Sequence, residues 1–409
     1  MSAQVEAREK RKGAAMRIGR WAGVLLAVAP FLAGCGDFWQ APSSTGGSGS
    51  CTTNCSTATS GYFYILNSPA SGSPNIVSES IVSGTLTTLT GSPLTLPGIP
   101  YSMSIAPNDN FLCVATSSGV IAYPISVGAL GTGVTSSADL DAAAVQVDQS
   151  SSWLIEAIPG TGGVTIAAVP ILDTTGAGNG KEFTVFIPVT TTTTVSVDQM
   201  VISPDNANIF VALGTGGTIV VPFSPGVASG TSPFGTRYTP IKVLHNGGSA
   251  LSVAVDPTNR LFYIGETLAN STSTSGGLRF FNYSTISELT GSPIATGALS
   301  PGFVLPLSSG DYVYVANGTG AGNAGNIAAF AVTSSGTTYS LTAGPTIAVG
   351  SQPLGLAEDS TSTFLMEVGS AGSPYFDSFT FDSTTAGQLD TQITSSTATG
   401  SIAIVAQPQ

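Results

Sequence analysis

The chain holds one histidine, His245, in the stretch LHNGGSA. Histidine is the side chain best suited to proton transfer near neutral pH, so any general base here starts with that residue. Asp139 and Asp141 alternate in SADLDA, which puts both carboxyls on one side of an extended chain. Such a pair could hold a cation weakly, or supply a hydrolytic base if burial raised one of the pKa values. Plainer roles compete with these: a loop histidine beside a Gly-Gly turn, and a solvated acidic loop. Cys51 and Cys55 (CTTNC) have no histidine near them and make a poor zinc site. In an exported protein they could form a short disulfide. Cys113, inside FLCVAT, reads as a core residue. GAGNGKE (176–182) lacks the first glycine of a phosphate loop and the Ser/Thr after Lys181. A serine triad would have to use His245, and no strained nucleophile turn surrounds any serine. The expectation is neither metal nor cofactor.

The N-terminal residues are not part of any fold. MRIGR (16–20) is basic, 21–32 is mostly apolar, and LAGC (32–35) closes the run. A charged segment, a short apolar segment and small residues make a secretory signal over 1–34. The apolar run is shorter than the roughly 20 residues that span a bilayer comfortably. LAGC resembles the lipobox of bacterial lipoproteins, which implies cleavage before an acylated Cys35, with Met16 the natural start. Gly36 follows, rather than an aspartate that would resemble an inner-membrane retention signal, so the implied address is the outer membrane. Residues 35–60, rich in Ser, Thr and Gly, read as a flexible tether of about 25–30 Å r.m.s. span. Beyond Cys35 stand five basic and 21 acidic side chains, a net charge of −16. Nucleic acid needs a basic stripe to displace its counterions, and none exists. The acyl chains should be the one membrane contact.

Two patterns recur over 61–409 and must position whatever site there is. An apolar run appears as YFYIL, FLCVA, WLIEA, IFVAL, LFYIG, YVYVA and FLMEV, with starts 49, 42, 56, 52, 51 and 52 residues apart. An alternating stretch precedes it across a short turn containing Asp, Asn, Ser or Pro, as in SMSIAPND, LSVAVDPTN and LGLAEDSTS, which is a hairpin signal. The first YFYIL (62–66) lacks an alternating partner before it, and the last alternating stretch, SIAIVAQPQ (401–409), has nothing after it. Each half completes the other only if the chain closes on itself. A closed ring of small sheets removes exposed edges, so the pattern predicts an all-β, seven-bladed propeller. LTGSP occurs at 89–93 and again at 289–293, as a period of about 50 used four times would give.

SGTLTTLTGSP…GIPYSMSIAPNDNFLCVAT and ISELTGSPIATGALSPGF…DYVYVAN resemble the lactonase-type propeller repeat, close to the YVTN repeat family. The resemblance covers roughly 61–409 and implies 6-phosphogluconolactonase, a muconate-type cycloisomerase, or a propeller without chemistry. It also implies that the channel mouth gathers Pro100, Tyr101, Asp139, Asp141, His245 to Ser249 (with Asn246), Pro301, Gln352 and Pro353. The family's enzymes carry a histidine just ahead of the inner strand's Asp-Pro, and Leu251 stands there in LSVAVDP. A phosphorylated sugar acid needs cationic partners, and only five basic side chains follow Cys35. The expectation is therefore a monomeric binding or interaction module at the cell envelope. Its ligand would be a protein, small molecule or carbohydrate held at Tyr101, His245, Asn246 and Gln352. A lactone hydrolase or cycloisomerase is the alternative, with His245, Asp139 or Asp141 as its base.

Overall fold

The protein is described by a computed structural model. It covers residues 59–408 apart from 83–84, 190–193, 229, 273–274, 319–324, 337, 350, 373–375 and 396–399. Residues 1–34, read as a secretory signal, and Cys35, Cys51 and Cys55 lie outside the described residues. Among the described residues there is no helix, and the strands form seven antiparallel sheets of four or five strands each. Each sheet is one blade, running from an inner strand through a second and a third to an outer one.

The alternating stretches are the inner strands: Pro100–Ile105, Ala144–Val147, Gln199–Ile202, Ala250–Val255, Ser300–Pro306 and Ser351–Glu358 in blades 2 to 7, and Ser401–Ala406 in blade 1. The apolar runs are the second strands, from Thr59–Asn67 in blade 1 to Phe364–Gly372 in blade 7. Blade 1 joins the two ends of the chain, with Phe63 opposite Ala406, Ile65 opposite Ile404 and Leu66 opposite Ala403. The inner strand of blade 1 packs against those of blades 2 and 7, and the other four follow in order around the ring. Side chains stitch neighbouring inner strands together. Val147 N donates to Ser104 Oγ at 3.0 Å, Val253 N donates to Gln199 Oε1 at 3.0 Å, and Ser252 Oγ donates to Pro301 O at 2.7 Å.

Sheets covered on both faces need apolar residues in both directions, which explains runs such as YVYVA. Seven hydrophobic clusters result, each bridging two adjacent blades, and together they close the circle. Cys113 is fully buried in the cluster between blades 2 and 3. The two LTGSP copies lie in the outer parts of blades 1 and 5. In each the serine hydroxyl accepts from a third-strand N–H, Ser78 to Ser92 at 2.9 Å and Phe280 to Ser292 at 3.2 Å. Each copy has a cis Ser-Pro bond.

Strand direction fixes two faces. In blades 2 to 7 each inner strand turns into its second strand through a five-residue loop on one side, here the turn face. The fourth residue of these loops has a left-handed backbone in all six: Asp109, Ser151, Asn206, Asn259, Gly310 and Ser362. Asn, Asp and Gly tolerate that conformation best, which is why ND, DN, TN and SG mark the sequence there. Asp148 and Asp359 cap their loops by accepting backbone N–H bonds, from Ser152 and Trp153 at 2.7 Å each and from Thr363 at 2.7 Å. On the opposite side, the mouth face, each outer strand hands the chain to the next inner strand.

Candidate functional site

The mouth-face connections are 96–99, 138–143, 189–198, 242–249, 296–299 and the segments entering blades 7 and 1. They are rich in Ser, Thr, Gly and Ala, and their charged residues are Asp139, Asp141, Asp198 and Lys242. Nine large apolar side chains are exposed among the described residues, and five of them belong to this rim. Ile99 (56%), Leu140 (55%), Leu244 (40%) and Leu299 (42%) sit on the connections into blades 2, 3, 5 and 6. Tyr101 (45%) is the second residue of the blade 2 inner strand. A single exposed leucine needs no explanation; these five share the mouth face, on blades 2, 3, 5 and 6.

The residues named for the mouth are distributed over several blades. Asp139 and Asp141 precede blade 3, His245 and Asn246 precede blade 5, and Gln352 is half-buried on the inner strand of blade 7. Among the described residues no hydrogen bond or ion pair joins these groups to one another. His245 is half-buried rather than free in solvent, its Nε2 3.3 Å from Ala269 O. The loop that carries it is held from below. Arg279, on the third strand of blade 5, is 5% exposed and paired with Glu266 at 2.7 Å and Glu288 at 2.6 Å. Its Nη1 also donates to Lys242 O at 2.9 Å, and Leu244 N donates to Glu266 Oε2 at 3.0 Å. Burial opposes ionisation of Glu288, but the bonds from Arg279 and Ser292 win and hold its pKa below the usual carboxylate range. Arg260 is on the turn face, bound to Asp256 at 2.8 Å and to Gly310 O. Lys181 lies 4.9 Å from the Phe183 ring beside the outer strand of blade 3. Arg260 and Lys181 are thus committed away from the mouth, and Arg279 is buried beneath the loop that carries His245.

One group was missed by sequence reasoning. Glu156, in the middle of the blade 3 second strand, is 0% exposed and faces blade 2, as Leu154 does. Burial, then the Asp139 carboxyl hydrogen-bonded to it, push its pKa up to about 9, while Ser137 pulls the other way. Drawn as an ion, Glu156 has no donor for either oxygen. A neutral Glu156 avoids leaving a buried charge without a donor. The signal was present in WLIEA: a carboxyl inside a run covered on both faces must be neutral or paired. Glu367 takes the same place in blade 7, buried opposite Asp377. Glu156 touches no solvent, so in this conformation it cannot meet a substrate at the mouth.

No family model matches the sequence, and no curated protein matches it either. Solved structures do. A provisional 6-phosphogluconolactonase of Bacteroides fragilis aligns at 13% identity and TM-score 0.66, over 86% of this chain and 99% of the other. A second provisional 6-phosphogluconolactonase, from Bacteroides uniformis, gives 14% and 0.65 over 84% and 98%. The periplasmic gluconolactonase of Pseudomonas aeruginosa gives 15% and 0.60 over the same shares, 84% and 98%. At such identities the likeness is one of fold: the chain is a seven-bladed propeller of the 6-phosphogluconolactonase-like architecture.

Proposed function

We propose that the protein is an exported, lipid-anchored propeller that binds a partner with its mouth face at the cell envelope and performs no catalysis. The observation that carries this reading is the apolar rim of Ile99, Tyr101, Leu140, Leu244 and Leu299 around the opening. The anchor rests on LAGC and the acylation of Cys35 that it implies, with the outer membrane as address. A photo-cross-linking residue at Tyr101 should trap a partner in living cells, and one at Val127, exposed on the other side of the molecule, should not. The opposite pattern would sink the reading.

Lactone hydrolysis, the activity named for the structural neighbours, is the second reading, and the likeness of fold is what favours it. It suffers from the commitment of Arg260 and Arg279 to carboxylates, since a phosphorylated lactone needs free cations. The purified protein should show no lactone hydrolysis above buffer with 6-phosphogluconolactone or simple sugar lactones in a pH-stat. Turnover that disappears in His245→Ala would promote the enzyme reading.

A further inference from the structure

Resting on the mouth-face reading, we infer that the partner is a polypeptide segment presenting apolar side chains flanked by Lys or Arg, from the aqueous compartment and not from the protein's own membrane. Four of the five rim residues are aliphatic. Aliphatic surface gains by shedding water against other apolar groups, and it offers a sugar hydroxyl or a phosphate nothing to bond. An apolar-tipped polypeptide fits, and so would a lipid surface.

Where the described chain starts separates those two. Thr59 lies beyond the Phe63–Ala406 pairing, past the last residue of the blade 1 inner strand, and therefore on the turn face. A tether from Cys35 thus joins the propeller on the side opposite the rim. Charge points the same way. The mouth-face connections carry Asp139, Asp141 and Asp198 against Lys242, on a chain with a net charge of −16 beyond Cys35. Anionic headgroups and acidic segments are repelled, as is a second copy of the same face. A cationic segment is drawn in, and apolar contact then holds it.

The test uses the full chain in phosphatidylcholine nanodiscs, with empty nanodiscs as the control. Three labelled twelve-residue peptides, alternating Leu/Lys, Leu/Glu and Ser/Lys, are titrated by fluorescence anisotropy. The Leu/Lys peptide should bind, and the other two should be at least tenfold weaker. Leu140→Ser with Leu299→Ser should weaken Leu/Lys binding tenfold or more with an unchanged thermal midpoint. Val127→Ser with Leu172→Ser, both exposed away from the mouth, should leave it unchanged. Equal affinity for Leu/Glu overturns the inference while the mouth-face reading stands. So does sedimentation showing a dimer that the Leu140/Leu299 variant dissociates, because the occupant is then a second copy. Loss of binding in the Val127/Leu172 variant alone overturns both.

Discussion

Glu156 is the residue whose protonation the fold dictates most strongly. Its pKa stands near 9 in the folded chain against an ordinary 4.5, so the folded state keeps a proton that the unfolded state releases. Stability from this group is therefore full below about pH 4.5 and declines as pH rises towards 9, where the loss levels off. The slope for one proton is at most about 1.4 kcal/mol per pH unit. Glu156→Gln keeps a neutral side chain of the same shape. Thermal melts from pH 5 to 9 should show the wild type losing stability relative to the variant, with the variant ahead at pH 8. Parallel curves would mean that Glu156 is ionised in the fold. Arg279 is the converse case, a buried cation satisfied on every side. Arg279→Met would strand Glu266 and Glu288, and breaking such a buried network costs roughly 3–5 kcal/mol. The variant should unfold earlier in urea by that amount, and faster hydrogen exchange at Leu244 should report release of the loop carrying His245.

At the level of strands, the pairing of Thr59–Asn67 with Ser401–Ala406 is the closure on which the ring depends. Deleting 401–409 strips the partner from Phe63 and Ile65, exposes a flat apolar edge and removes the buried Ile404. The loss should exceed the roughly 2–5 kcal/mol of one buried Ile→Ala change, and the truncated chain should associate through its open edge. Light scattering and a melting curve check both; a monomer of unchanged stability would contradict closure. Inner and second strands were legible because each carries its own signal, an alternation or an apolar run ended by a turn with left-handed backbone. Third and outer strands were not. Val134–Ser137 and Thr239–Ile241 are short, half-exposed and patterned by the neighbouring blade. The same locality hid the Glu156–Asp139 pair: its members are 17 positions apart and meet only when blade 3 packs on blade 2. Tyr101, Asp139, His245 and Gln352 could be assigned a side of the molecule, but the apolar rim around them needed burial to be known.

For the molecule as a whole, seven interfaces of one kind imply stability without weak ends. An open array frays at its terminal repeats, because each has one neighbour instead of two. In this ring blades 1 and 7 share a buried cluster that includes Phe63, Met366 and Ile404, like any other neighbouring pair. Amides of the second strands in blades 1, 4 and 7 should exchange with similar protection in native-state hydrogen exchange. Markedly faster exchange in blades 1 and 7 would show that the closure is weak.

That closure also sets an order of events in time. A chain emerging from the ribosome N-terminus first presents 59–67 early, while its partner, 401–406, follows about 340 residues later. Throughout that interval the first blade has nothing to shut against. The final nine residues therefore act as a seal of completeness, and a product cut short by proteolysis or early termination keeps an adhesive strand on display for the cell's proteases to find.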